Sequence, residues 1–241
     1  DIPGSLMVKN IAVTNRRAVE RAKGPSQDKA RFTADLSKTI KPIGDIYGIN
    51  MGYWAPEILD TASRALEKAL HLGTVRYPGG LIADETHWED VLKAKDFHVD
   101  TDEFLDWCAS VGVQPMFTAN VGSGSPDESA RWVEYVNHKR TKGPKVAYWE
   151  IGNEIYGSWH KYYETWGKDG GKAYGKMARE HILAMRKVDP SIKITVVWQL
   201  VGEWNREVLS QVADIVDGVN VHHYAQKTGT ENDQALLSVS G

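Results

Sequence analysis

The chain has 241 residues, a quarter of them charged, and a formal net charge of −3, with Lys and Arg scattered among Asp and Glu. It therefore offers no basic face for nucleic acid and no polybasic membrane anchor. A single cysteine, Cys108, excludes an internal disulfide and a metal thiolate cluster, and no apolar run approaches the ~20 residues of a membrane span.

The amino-terminal residues show no charged-then-apolar leader, which leaves secreted and cytoplasmic locations both open. Residues 1–42 mix short β-prone pieces with a polar stretch and read as a lead-in or accessory strand region. From residue 43 onward, strand and helix signals alternate with short connections, the mark of βα units. The first strand is expected over Ile46 to Asn50. A helix from Pro56 to Leu72 follows, with Ile58, Ala62, Ala65, Leu66, Ala69 and Leu70 on one face and Gly73 closing it.

A second strand, Thr74 to Tyr77, leads through a long loop to a helix at Thr101 to Ser110. The third strand is Gln114 to Asn120. After it, Ser125, Pro126 and Glu128 supply an N-cap, a first-turn proline and a capping-box acid for a helix reaching Asn137. The fourth strand lies in the apolar run from Val146 to Ile151, continuous enough for a parallel strand buried on both faces, and it ends on Asn153-Glu154. Its helix spans Gly171 to Val188. Strand five is Ile192 to Trp198, helix five Asn205 to Ile215, and strand six Gly218 to Tyr224.

Six such units fit either a doubly wound sheet or part of a (β/α)8 barrel. The first strand is followed by Met51-Gly52-Tyr53-Trp54, which lacks the glycine-rich turn of a dinucleotide site. Polar residues instead stand at the ends of several strands: Arg76, Asn120, Asn153, Glu154, His222 and Tyr224. Barrel enzymes gather catalytic side chains in that way. The expectation is an α/β chain carrying about six of the eight units of a TIM barrel over residues 43–241. His222 and Tyr224 alternate onto one face of their strand, and His223 is expected to point away.

Four strings now carry a resemblance: VRYPGG at Val75 to Gly80 with HWED at His87 to Asp90, NVGSGSPDE from Asn120, YWEIGNE from Tyr148, and VHHY from Val221. In this order and spacing, over about residues 32 to 225, the chain resembles the α-L-arabinofuranosidase family of retaining glycoside hydrolases. The resemblance implies a barrel acting on glycosidic bonds of plant polysaccharide, with no cofactor and no catalytic metal. Glu154 matches the general acid/base, with Asn153 beside it to hold the neighbouring sugar hydroxyl. Arg76 would orient carboxylates at the barrel mouth or form an ion pair beneath it, and His222 or Tyr224 would position the nucleophile or tune the acid. Tyr156, Trp159, Tyr162, Tyr163 and Trp166 read either as a sugar-stacking loop or as a mini-core, and Trp198 as a further wall. Trp107 and Trp132, within helices, read as core.

The departures from the family pattern carry expectations of their own. The family's nucleophilic glutamate ends a seventh strand, so the nucleophile is expected from outside this chain, on a second polypeptide that completes the barrel. Glu203-Trp204-Asn205 resembles the surroundings of a nucleophile but reads as a helix start. Where the family commonly has a Glu after strand one and an Asn after the paired glycines, this chain has Asn50-Met51-Gly52 and Leu81. An endo-β-glucanase or xylosidase on the same barrel is thus an alternative, and a non-catalytic carbohydrate-binding remnant is another.

Overall fold

A computed structural model describes residues 47–200 and 202–224, within a compact unit that begins at Tyr47. The lead-in expected over residues 1–42 lies outside the described residues. Six parallel strands form one sheet: β1 (Gly48–Asn50), β2 (Thr74–Tyr77), β3 (Gln114–Ala119), β4 (Tyr148–Ile151), β5 (Lys193–Trp198) and β6 (Gly218–Val221). Their spatial order is their chain order, each strand pairing in parallel with the next. A doubly wound sheet reverses direction at a switch point, whereas this one advances the same way throughout, as a barrel does. The described portion is thus part of a (β/α)8 barrel.

Six α-helices lie between the strands: α1 (Thr61–Leu70), α2 (Trp88–Ala94), α3 (Thr101–Val111), α4 (Pro126–Glu134), α5 (Gly171–Val188) and α6 (Glu203–Val212). The sheet's outward face and the helices share one core, in which Tyr77, Phe104, Phe117, Trp132 and Trp149 pack ring against ring. Trp107 and Trp132 are buried there, as expected. Alternation along the strands sends Trp149 and Ile151 to this core and Glu150 to the barrel interior.

Several boundaries differ from the sequence reading, each for a local reason. The helix expected over Pro56 to Leu72 divides: Pro56–Leu59 is a 3₁₀ turn, and extended Asp60 then caps α1, accepting from Ser63 N at 2.7 Å. His71, at φ 50°, ends that helix in the left-handed conformation assigned in advance to Gly73. Its apolar face is also not buried, since Leu66 and Leu70 are 69% and 63% exposed. Its one buried residue is Glu67, whose carboxylate accepts from Trp107 Nε1 at 2.9 Å.

The loop after β2 contains α2, a short helix without a side-chain cap. Ser125 caps α4 as expected, but Glu128 does not close a capping box; its carboxylate faces His87 Nδ1 at 3.1 Å. Beyond Glu134 the helix expected to reach Asn137 widens into a π turn, Tyr135–Lys139. Residues Glu203 to Asn205 do open a helix: Asn205 bridges the backbone of Gln199 in both directions, and Glu203 stays exposed.

Candidate active site

The turn after β4 is built to deliver a carboxyl inward. Gly152 has φ 76°, and a Cβ there would stand 2.5 Å from Val121 Cγ2, so the sharp exit from the strand requires glycine. Glu154, at φ 44°, also occupies the left-handed region, an uncommon place for a long side chain and one often found at functional positions. Buried Asp84, from the loop after β2, holds this turn: Oδ2 accepts from Asn153 N at 2.9 Å and from His160 Nε2 at 3.0 Å. Because His160 Nδ1 accepts from Tyr162 N, the ring proton belongs on Nε2, facing Asp84.

Glu154 is buried, with 8% of its surface exposed, and its carboxyl meets the segment that follows β6, two strands along the sheet. His222 Nδ1 lies 2.7 Å from Glu154 Oε1, and the Tyr224 hydroxyl donates to the same oxygen at 3.3 Å. The His222 bond holds the carboxyl below its ordinary value against the opposing effect of burial, so Glu154 is ionised here. Arg76, from β2, forms the floor. Its Nε donates to Glu150 Oε2 at 2.6 Å, Nη2 to Asn153 Oδ1 at 2.9 Å and Nη1 to Asn50 Oδ1 at 3.0 Å. Arg76 thus forms the expected ion pair, with Glu150, and also hydrogen-bonds the Asn153 amide.

Two hollows of about 430 and 460 Å3 meet at Glu154, His222 and Tyr224. The first is lined by the polar side chains of Asn50, Arg76 and Asn153 together with Leu81, and the second by the rings of Tyr156, Trp159 and Tyr163. Glu154 thus stands between a site rich in hydrogen-bonding groups and a site of flat rings. Within the aromatic segment after β4, Tyr156, Trp159 and Tyr163 line the second hollow, while Tyr156, Tyr162 and Trp166 pack on the core.

The structure places three residues differently from expectation. Asn120 lines neither hollow; its amide is consumed in the loop after β3, donating to Thr86 O and Ser123 Oγ and accepting from Ser123 N and Gly124 N. Trp198 also lines neither, because it shares the strand parity of Ile194 and Val196, which face the core. Its neighbours Gln199 and Leu200 reach the aromatic hollow instead. His223, expected to point away, borders the polar hollow.

Sequence reasoning missed Asp84, His160 and Glu150. Glu150 was the findable one, being a charge in the middle of a strand expected to be buried on both faces, and it is fully buried. The Arg76 charge, with His222 and Asn220 close by, keeps its carboxyl below the ordinary value, overriding the upward effect of burial.

No protein-family profile matches the chain. It is 31% identical over 160 residues to a probable α-L-arabinofuranosidase C of Aspergillus fumigatus, a match covering 55% of this chain and 31% of that protein. An intracellular exo-α-(1→5)-L-arabinofuranosidase of Halalkalibacterium halodurans is 29% identical over 193 residues, covering 66% of this chain and 38% of the relative. The crystal structure of the Thermotoga maritima α-L-arabinofuranosidase in an arabinose complex superimposes with a TM-score of 0.58 at 29% identity, covering 66% of this chain and 38% of that one. The chain therefore spans well under half the length of these relatives. In motifs, fold and sequence, the matched part of the chain is similar to α-L-arabinofuranosidases.

Proposed function

We propose that this chain carries the acid/base half of a retaining glycoside hydrolase site of the α-L-arabinofuranosidase type. The observation that supports it best is the position of the Glu154 carboxyl at the junction of the two hollows. The sugar whose bond is cut would sit among Asn50, Arg76 and Asn153, and the leaving group against Tyr156 and Trp159. A carboxyl between the two is placed to protonate the linking oxygen and then to take a proton from water. In this reading the nucleophile, about 5–5.5 Å from Glu154 as a retaining mechanism needs, is supplied by a second polypeptide that carries further barrel units.

Glu154→Ala in the completed assembly tests the role. Hydrolysis of substrates with poor leaving groups should fall by about 10²–10⁴-fold, while activated aryl glycosides, which need little protonation, should be spared more. Equal losses on both classes would remove Glu154 from the acid role. Native mass analysis showing residues 1–241 active with no second polypeptide would remove the partner.

One observation favours a second reading of the sugar. Leu81 borders the polar hollow and is 44% exposed, presenting C–H surface where the family pattern has an amide. A xyloside or β-glucan substrate on the same barrel accommodates that wall. Comparing aryl arabinofuranoside, aryl xyloside and glucan hydrolysis decides between them.

A further inference from the structure

The Glu150 carboxylate lines neither hollow, yet it joins residues that do. Its Oε2 accepts from Arg76 Nε at 2.6 Å and from Thr118 Oγ1 at 3.0 Å. Its Oε1 has no hydrogen bond of ordinary length and stands 3.5 Å from His222 Nε2. The other nitrogen of the same ring, Nδ1, is 2.7 Å from Glu154 Oε1. A neutral imidazole has one N–H and one lone pair, so it suits an acceptor at one nitrogen only; carboxylates at both nitrogens call for the doubly protonated ring.

Among the described residues, the charged and titratable groups facing His222 are Glu150 and Glu154 from β4 and its turn, Arg76 from β2, and Tyr224 from its own segment. Two carboxylates oppose one guanidinium. The ring responds in the expected direction: the carboxylates of Glu150 and then Glu154 raise it to about 9, against burial and the Arg76 charge.

We propose that Glu150 is a positioning residue that holds His222 as an imidazolium with Nδ1 aimed at Glu154, so that Glu150, His222 and Glu154 form a chain that stores the proton Glu154 delivers. This inference rests on the reading of Glu154 as the acid/base. At rest the proton is on His222 and Glu154 is ionised. When substrate fills the site, the Nδ1–H bond breaks as the Glu154 Oε1–H bond forms. Glu154 passes that proton to the leaving oxygen as the glycosidic bond breaks, and His222 remains neutral with its Nε2–H facing Glu150. The attacking water then gives a proton to Glu154, which returns it to Nδ1. The cycle closes with no net proton gained or lost by the three residues. Such a reservoir explains how a carboxyl that is ionised in the open site can act as an acid.

The ring nitrogens of His222 in the 241-residue chain report directly, by ¹⁵N NMR, with the signal assigned by its loss in His222→Asn. In the unaltered chain both nitrogens should stay protonated at about pH 7.5, where an ordinary histidine is neutral. Glu150→Gln should lower the titration midpoint by about one pH unit or more, and Glu150→Asp, which withdraws the carboxylate from Nε2, by a smaller but measurable step. A neutral His222 at about pH 7.5 in the unaltered chain overturns the proposal without any variant. A smaller shift in Glu150→Gln overturns it too, and if that variant does not fold, an unmoved midpoint in Glu150→Asp does so in its place. The titration requires no turnover. A completed assembly that cuts no glycoside while His222 still titrates high removes the reading of Glu154 and leaves the ion chain; an active assembly with an ordinary His222 removes only the chain.

Discussion

Arg76 and Glu150 show why a buried ion pair is better evidence of position than of stability. Glu150 is fully buried and Arg76 half-buried, and three of the arginine's nitrogens are spent on Glu150, Asn153 and Asn50. Desolvating both charges offsets much of their attraction, whereas removing one leaves the other buried and unpaired. Arg76→Ala should therefore cost about 3–5 kcal/mol, measured by urea unfolding. The double replacement Arg76→Met with Glu150→Leu should cost clearly less than Arg76→Ala, and equal losses would show that packing, not charge, holds this floor.

At the scale of elements, the contact between α4 and α5 carries a pH dependence. His181, on α5, is buried, with Nδ1 2.9 Å from Ser129 Oγ of α4, and burial lowers its pKa to about 4. The unfolded chain, with an ordinary histidine, binds a proton that the folded chain refuses between these values. Stability from this residue is thus complete above about pH 6.5 and declines as pH falls toward 4. By linkage it amounts to about 3 kcal/mol at the acid end. Unfolding at about pH 7 and pH 4.5 should show a loss in the natural chain that His181→Gln does not share. An identical acid-side loss in the variant would place the effect in other residues.

The same elements show what could be read in advance. β4 was legible because Val146 to Ile151 is an apolar run of the kind only a strand covered on both sides can bury, and α4 because Ser125 and Pro126 mark its start. The break at Asp60 was missed because helical spacing continues through it, although Asp60 is itself a cap residue three before Ser63. The pairing of Asp84 with His160 spans 76 positions and follows from no local periodicity. Glu150 was overlooked as a member of the apolar run, although strand alternation places it on the face opposite Trp149 and Ile151. Alternation would also have put Trp198 with Ile194 and Val196 and not at the mouth.

Over the whole described unit, two surfaces contradict the rule that apolar faces are covered. On β6, Val219 and Val221 are 39% and 48% exposed, and on α1, at the other end of the sheet, Leu66 and Leu70 are more so. Leu66→Lys with Leu70→Lys should change unfolding free energy by less than about 0.5 kcal/mol and reduce dye binding and self-association in sedimentation velocity. A large destabilisation would show that this face is packed in solution. Closing the barrel also bears on the acid: a nucleophilic carboxylate brought near Glu154 disfavours its charge. The Glu154 midpoint, followed by ¹³C NMR, should therefore be higher in the completed assembly than in the 241-residue chain, and a lower one would contradict a paired-carboxylate mechanism.

On the reading of Glu154 as the acid/base, its left-handed backbone sets folding against chemistry at a single codon. Glycine and asparagine adopt that conformation at less strain than glutamate. A mutant library sorted only for abundance of folded protein should therefore accept those two residues at position 154, whereas one sorted for turnover should return glutamate alone. The gap between the two distributions would mark this position as one kept for work the fold itself does not require.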